Sequence, residues 1–230
     1  MEKISSKRIW EVDMARGILI ILMIVLHILF NLEYFFEISI NYSSGFTNVL
    51  RIAVASSFIL ISGTSTSFSR NSFKRGIIVF LTAMMITLFT YIFNREAYVL
   101  FGILHLLGIC MIISPVFKKL NIPWLFILIV AIILINFIFS NLTVKSNYFF
   151  MFGLSNENFI SLDYYPLLPW SSFFIAGILL SKIIYRQKKS IFSFDIKDNV
   201  INFLGRHSLF VYVVHQPVIL IIMFLTMAKK

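Results

Sequence analysis

The sequence predicts an all-α fold: a polytopic transmembrane bundle of about seven helices with its N-terminus in the cytoplasm. Three observations carry that expectation. Hydrophobic residues make up 59% of the 230 residues and charged residues only 13%, whereas a soluble domain is about a quarter charged. Apolar runs long enough to cross a bilayer recur along the chain, and helices are what satisfies the backbone there. Lys and Arg gather in alternate connections between those runs.

The spans fall at roughly 17–36, 46–66, 76–93, 98–117, 122–140, 164–184 and 206–226. The first follows the basic segment MEKISSKRIWEVDMAR; its apolar stretch is too long for a secretory leader and lacks an A-x-A site, so it stays as an anchor. The second contains ASSFILISGTSTSFSR, whose small and hydroxyl residues suit close helix packing. The third and fourth are joined by a short turn carrying Arg95, and the fourth holds the lone Cys110 in an apolar run, which excludes a disulfide framework. The fifth follows Lys118 and Lys119. The sixth enters through SLDYYPLLPW, with tyrosine and tryptophan at an interfacial height, and the seventh opens with GRHSLFVYVVHQP.

Orientation follows from the cations. One side collects fifteen: Lys3, Lys7, Arg8, Arg16, Arg70, Lys74, Arg75, Lys118, Lys119, Lys182, Arg186, Lys188, Lys189, Lys197 and Arg206. The other has four, Arg95, Lys145, Lys229 and Lys230, and Arg51 lies within a span. The crowded side is the cytoplasm, and an odd number of spans puts the C-terminus outside. The net charge of +10 is therefore read as topology, with no nucleic-acid partner. With no internal repeat, residues 1–230 form one domain of a multi-pass cell-membrane protein.

Ionisable residues inside a bilayer are costly, so each is a candidate for function. His27 lies eleven residues beyond Arg16, ~16 Å along a helix and near mid-membrane. Eleven steps of about 100° bring the two within about 20° of one face. Asp13 can cap that helix or pair with Arg16. His105 and His215 come out near mid-membrane on two other spans. Three imidazoles at one height suggest a shared site, against the blander reading of separate interhelical hydrogen bonds. A three-histidine metal centre lacks an evident carboxylate partner, so no metal is expected. Arg51 needs a counter-charge, and Glu33 or Glu37 is at a compatible height. Asp163, at the outer mouth of the sixth span, is placed to accept a hydroxyl or amine. His207 falls at the cytoplasmic boundary.

The segments RIWEVDMARGILIILMIVLH, ASSFILISGTSTS, FGILHLLGIC, DYYPLLPW and GRHSLFVYVVHQP together resemble the heparan-alpha-glucosaminide N-acetyltransferase catalytic-domain family in its short bacterial form, from Arg8 to about Pro217. The Arg16-x10-His27 spacing is also similar to that of bacterial membrane acyltransferases that modify cell-surface sugars. The resemblance implies acetyl-CoA or another acyl-CoA as co-substrate on the cytoplasmic side and an acceptor on the far side. It makes Arg16 a donor-side residue and His27 the base, and YVVHQP matches a family segment with a histidine at His215. Animal lysosomal members carry their proposed catalytic histidine in a loop after the first span; NLEYFFEISINYSSGF has none here.

The chemistry is coherent on its own terms. Arg16, Arg70, Lys74 and Arg75 are placed to pair the phosphates of an anionic CoA, although the positive-inside rule already accounts for such cations. His27 would take a proton from an incoming hydroxyl or amine, with His105 or His215 orienting it or polarising the carbonyl. The partners expected are the bilayer, acyl-CoA and an extracytoplasmic glycan, amine or alcohol, with a homodimer left open. The alternative is a small-molecule or proton-coupled transporter with a histidine relay. Against it stands the lack of an inverted repeat or of paired Gly/Pro-broken spans.

Reporter fusions at Lys119 and Lys189 are expected to report cytoplasm, and fusions at Glu96 and Asn156 the far side. An outward signal at Lys189 would overturn the assignment.

Overall fold

The computed structural model describes residues 9–194, 196 and 199–227. Of the counted cations, Lys3, Lys7, Arg8, Lys197, Lys229 and Lys230 lie outside them. The described chain is all-helical, and the protein is a multi-pass membrane protein. Its helices are α1 (Trp10–Phe36), α2 (Gly45–Phe68), α3 (Ser72–Phe93), α4 (Ile103–Lys119), α5 (Ile122–Phe139), α6 (Leu167–Ile184), α7 (Val200–Arg206) and α8 (Ser208–Met227). Among the described residues six are long and apolar enough to cross a membrane: α1, α2, α3, α5, α6 and α8.

The expected fourth span is α4, which has 17 residues and so reaches ~26 Å, the short end of the spanning range. Its contacts show that it runs antiparallel along α3. Near its start, His105 meets Thr87 of α3; at its end, Lys118 donates to the Ser69 carbonyl and to Ser72 Oγ at 2.9 and 3.1 Å. Two boundaries differ from the sequence reading for physical reasons. Helix α1 begins at Trp10, seven residues early, because Glu11 and Asp13 favour a helix N-terminus. Helix α4 begins at Ile103, five residues late, because Phe101 forms an isolated bridge with Tyr164 and Gly102 is extended.

The chain divides into two compact units, 1–58 with 187–230, and 59–186. In the first, α1 packs against α7 and α8. The crossing of α1 and α7 is glycine on glycine: a Cβ at Gly17 would overlap the Ile201 carbonyl, and one at Gly205 the Asp13 carbonyl. At the same end Ile191 N–H donates to Glu11 Oε1 at 2.8 Å, and Trp10 packs at a tilt against Phe192 and Phe194.

In the second unit α3 packs on α4 and α5 on α6. The small-residue stretch of α2 does what its composition suggested. A Cβ at Gly63 would overlap the Phe174 carbonyl, one at Gly177 the Leu60 carbonyl, and Thr64 Oγ1 donates to the Gly177 carbonyl at 3.0 Å. Lys182 Nζ donates to the carbonyls of Lys118 and Leu120 at the C-terminal end of α4. The turns at 69–72, 118–121 and 182–186 therefore share one end of this unit, and they carry most of its Lys and Arg.

Gly205→Leu and Gly177→Leu should each destabilise the protein by about 1–3 kcal/mol or more through overpacking, read as a lowered thermal midpoint in detergent. Leu81→Ala, at a side chain 57% exposed, should change little. A Gly205→Leu protein that melts like wild type would refute the close crossing.

Candidate active site

Helix α1 presents His27 where α8 presents His215. The two rings lie 4.7 Å apart between centroids, edge to face at 81°. His27 Nδ1 lies 2.9 Å from the Met23 carbonyl, and His215 Nδ1 bonds the Tyr212 carbonyl. A carbonyl oxygen only accepts, so each Nδ1 carries the proton and each Nε2 keeps its lone pair. His215 is 8% exposed, and its Nε2 is buried with no hydrogen-bond partner. His27 is half-buried. Two imidazoles with available lone pairs thus face one another inside the first unit.

One turn beyond His27, on the same face of α1, lies Asn31, fully buried. Its Oδ1 accepts from Gln216 Nε2 at 2.8 Å. Asn31 Nδ2 and Gln216 Oε1 are both buried without partners. Sequence reasoning passed over this amide pair. The signal was present, since Asn31 is polar, inside an apolar run and four residues from His27.

His105, in the second unit, has a different environment. Its Nδ1 accepts the Gly102 N–H at 3.1 Å. Its Nε2 is 3.1 Å from Thr87 Oγ1, whose own proton goes to the Val99 carbonyl at 2.7 Å. Thr87 must then accept, so Nε2 carries the proton and both ring nitrogens are engaged. Starting α4 at Ile103 also sets His105 about six residues, ~9 Å, from the C-terminal end of α3, nearer the helix ends than counting from residue 98 implied. Asp163 Oδ2 accepts the Ile103 N–H at 3.1 Å and so caps α4. Beside it Tyr164 donates its hydroxyl to the Phe150 carbonyl at 2.6 Å. Burial pushes that phenol above its ordinary range, opposed by a hydrogen bond from Ser155. These groups knot the 98–105 and 161–165 segments together.

The cations also separate. Arg16 is 8% exposed; it donates to the Gly205 carbonyl at 3.1 Å and lies 3.8 Å from Asp13 Oδ1. It fastens α7 to α1. Arg70, Lys74 and Arg75 are exposed at the α2–α3 turn. Arg51 does not pair with Glu33 or Glu37. It donates to Asn48 Oδ1 at 2.8 Å and lies over the Tyr42 ring, 5.8 Å from its centroid. Glu33 instead accepts the Tyr42 N–H at 2.8 Å, because α1 ends at Glu37 in a left-handed turn that folds the chain back over it. His207 caps α7 at an exposed junction, as a boundary residue would. Among the described residues no group of three His, Cys, Asp or Glu converges as a metal would require.

Helices that cross a membrane, with paired imidazoles inside the bundle, define a polytopic membrane protein with a polar centre in its first unit. Residues 8–217 match the family described as heparan-alpha-glucosaminide N-acetyltransferase, catalytic, and the chain belongs to it. The family is one of membrane acetyltransferases. No curated protein and no solved structure matches the chain.

The hydrogen bonds of His105 predict a structural role. His105→Leu and Thr87→Val should each lower stability by about 1–3 kcal/mol, since each strands a buried partner, and the double variant should cost less than the sum. A thermal-melt double-mutant cycle reads this directly; strict additivity would break the inferred pairing.

Proposed function

We propose that the protein moves an acetyl or other acyl group from cytoplasmic acyl-CoA to a glycan, amine or alcohol on the far side of the cell membrane. What supports this most is the His27–His215 pair, with two Nε2 lone pairs in a family of acetyltransferases. Base catalysis needs a nitrogen that is unprotonated, held in one tautomer and reachable by substrate. In favour of His27 are the tautomer its Met23 bond sets, which leaves Nε2 a lone pair, and a ring less covered than that of His215.

The reaction balances without a resident cofactor. The acceptor's oxygen or nitrogen attacks the thioester carbonyl carbon while His27 Nε2 takes its proton. The tetrahedral intermediate collapses, the carbon–sulfur bond breaks, and the imidazolium returns the proton to the CoA thiolate. His215 orients His27 by packing its ring edge to face. The exposed Arg70, Lys74 and Arg75 would pair the phosphates of an anionic donor. Arg16, already committed to Gly205 and Asp13, would act there mainly by fixing the inner end of α1. His105 and Asp163 would set the shape of the outer segments.

Purified protein given labelled acetyl-CoA and a hexosamine acceptor should transfer label. His27→Ala should keep its fold and CoA binding and lose about two orders of magnitude or more in rate, with a smaller loss in His215→Ala. Arg75→Ala should weaken CoA binding, and the defect should shrink as salt rises. Retained transfer in His27→Ala would remove it as the base, and substrate flux in liposomes without CoA would favour a transporter.

A further inference from the structure

A base alone does not complete acyl transfer. Negative charge develops on the thioester oxygen as the nucleophile adds, and in a water-poor site a fixed donor must meet it. Neither imidazole can supply that donor, because each has its one N–H bonded to a backbone carbonyl. The cluster around them does hold one.

A single hydrogen bond between two amides leaves one carbonyl and one NH2 over. In the Asn31–Gln216 pair the unpaired donor is Asn31 Nδ2, on a side chain with no solvent exposure. Buried amide N–H groups are rarely left without an acceptor, least of all among apolar helices. Here the acceptor left over by the same pair, Gln216 Oε1, is also unbonded. The two orphans do not satisfy each other. Asn31 lies one turn from His27 on the same face of α1, the neighbouring position along the helix. The order along α1 is base, then donor, and α8 supplies His215 and Gln216 in the same sequence.

We infer that Asn31 is a further catalytic residue, donating its amide N–H to the thioester carbonyl oxygen as it becomes an oxyanion, and that Gln216 is the positioning residue that holds it. The assignment rests on the acyltransferase reading above. Gln216 acts by bonding Asn31 Oδ1, which fixes the amide plane and so the direction of the NH2. The alternative is an interhelical bond that only packs α1 on α8. A packing role and a catalytic role differ in what they change.

The experiment uses the full chain in detergent, with thiol release from acetyl-CoA in the presence of a hexosamine, and CoA binding and thermal midpoint measured separately. Asn31→Asp keeps the shape and the acceptor but replaces the fixed NH2 donor with a carboxyl oxygen. It should lower kcat by about 10²–10³, with KM for acetyl-CoA and CoA binding changed by no more than a few-fold. Gln216→Leu should lower kcat by about tenfold, leaving the pH profile in place, because the base is untouched. Should Asn31→Asp fail to fold, Gln216→Leu carries the same split between kcat and KM. Variants that turn over at the wild-type rate per folded molecule, or whose losses follow their melting temperatures, overturn the assignment while leaving the acyltransferase reading intact. A wild-type protein that releases no thiol sinks both.

Discussion

Close approach of helix backbones at glycine is the constraint on which the rest depends. In lipid, apolar side chains gain little by leaving one apolar medium for another, so helices associate by packing and by polar contacts. The chain meets that condition with paired glycines, Gly17 with Gly205 and Gly63 with Gly177, each facing a carbonyl that any Cβ would strike. A polar bond accompanies each crossing: Arg16 to the Gly205 carbonyl, and Thr64 to the Gly177 carbonyl. The first crossing also sets the register of the functional side chains. Beyond it, His27 meets His215, and Phe35 and Phe36 meet Phe224, so α1 and α8 run the same way and bring two imidazoles to one height.

Hydrogen-bond chemistry then separates histidines that look alike in sequence. His27 and His215 each give their proton to a backbone carbonyl and keep an Nε2 lone pair. His105 accepts at Nδ1 and donates at Nε2, so nothing remains for a substrate. The distinction comes from what lies opposite each ring. Within α1 and α8 the nearest acceptors are carbonyls of the preceding turn. At the start of α4 the Gly102 N–H is an orphan donor and a ring nitrogen can satisfy it.

Helical periodicity and apolar length made most of the fold legible. The seven long helices, the Arg16–His27 stripe and the tight packing of the second span depend on local spacing, which a sequence displays. What was hidden depends on pairing across the chain. The late start of α4 follows from residues 98–102 pairing with 161–165, some sixty positions away. The short α7 ahead of α8 fits against Gly17. Charge and height point Arg51 to a carboxylate, but an amide at 2.8 Å and a tyrosine face are nearer, and Glu33 is held by the returning loop. Asn31 and Gln216 were visible as residues but not as a pair.

The placement of unsatisfied groups bears on where chemistry occurs. Eight buried side-chain polar atoms among the described residues lack a hydrogen bond, and only Ser67 Oγ of these belongs to the 59–186 unit. That unit commits its polar side chains to its own backbone: Lys118 and Lys182 at helix ends, Asp163 at a helix start, His105 and Thr87 in a closed knot. The other unit does so at the two ends of α1, where Arg16 fastens α7 and Glu33 holds the Tyr42 N–H. Further along the same helix, His27 retains an available nitrogen, and Asn31, His215 and Gln216 each retain a buried atom without a partner. An uncompensated buried polar atom costs about 1–3 kcal/mol, and three beside one another would be removed by apolar substitution if packing were their whole purpose. Packing is served elsewhere on α1 by Gly17, Ile20 and Leu26, all buried. The polar remainder, His27 and His215 with Asn31 and Gln216, is therefore where α1 and α8 keep hydrogen-bonding capacity that packing does not use.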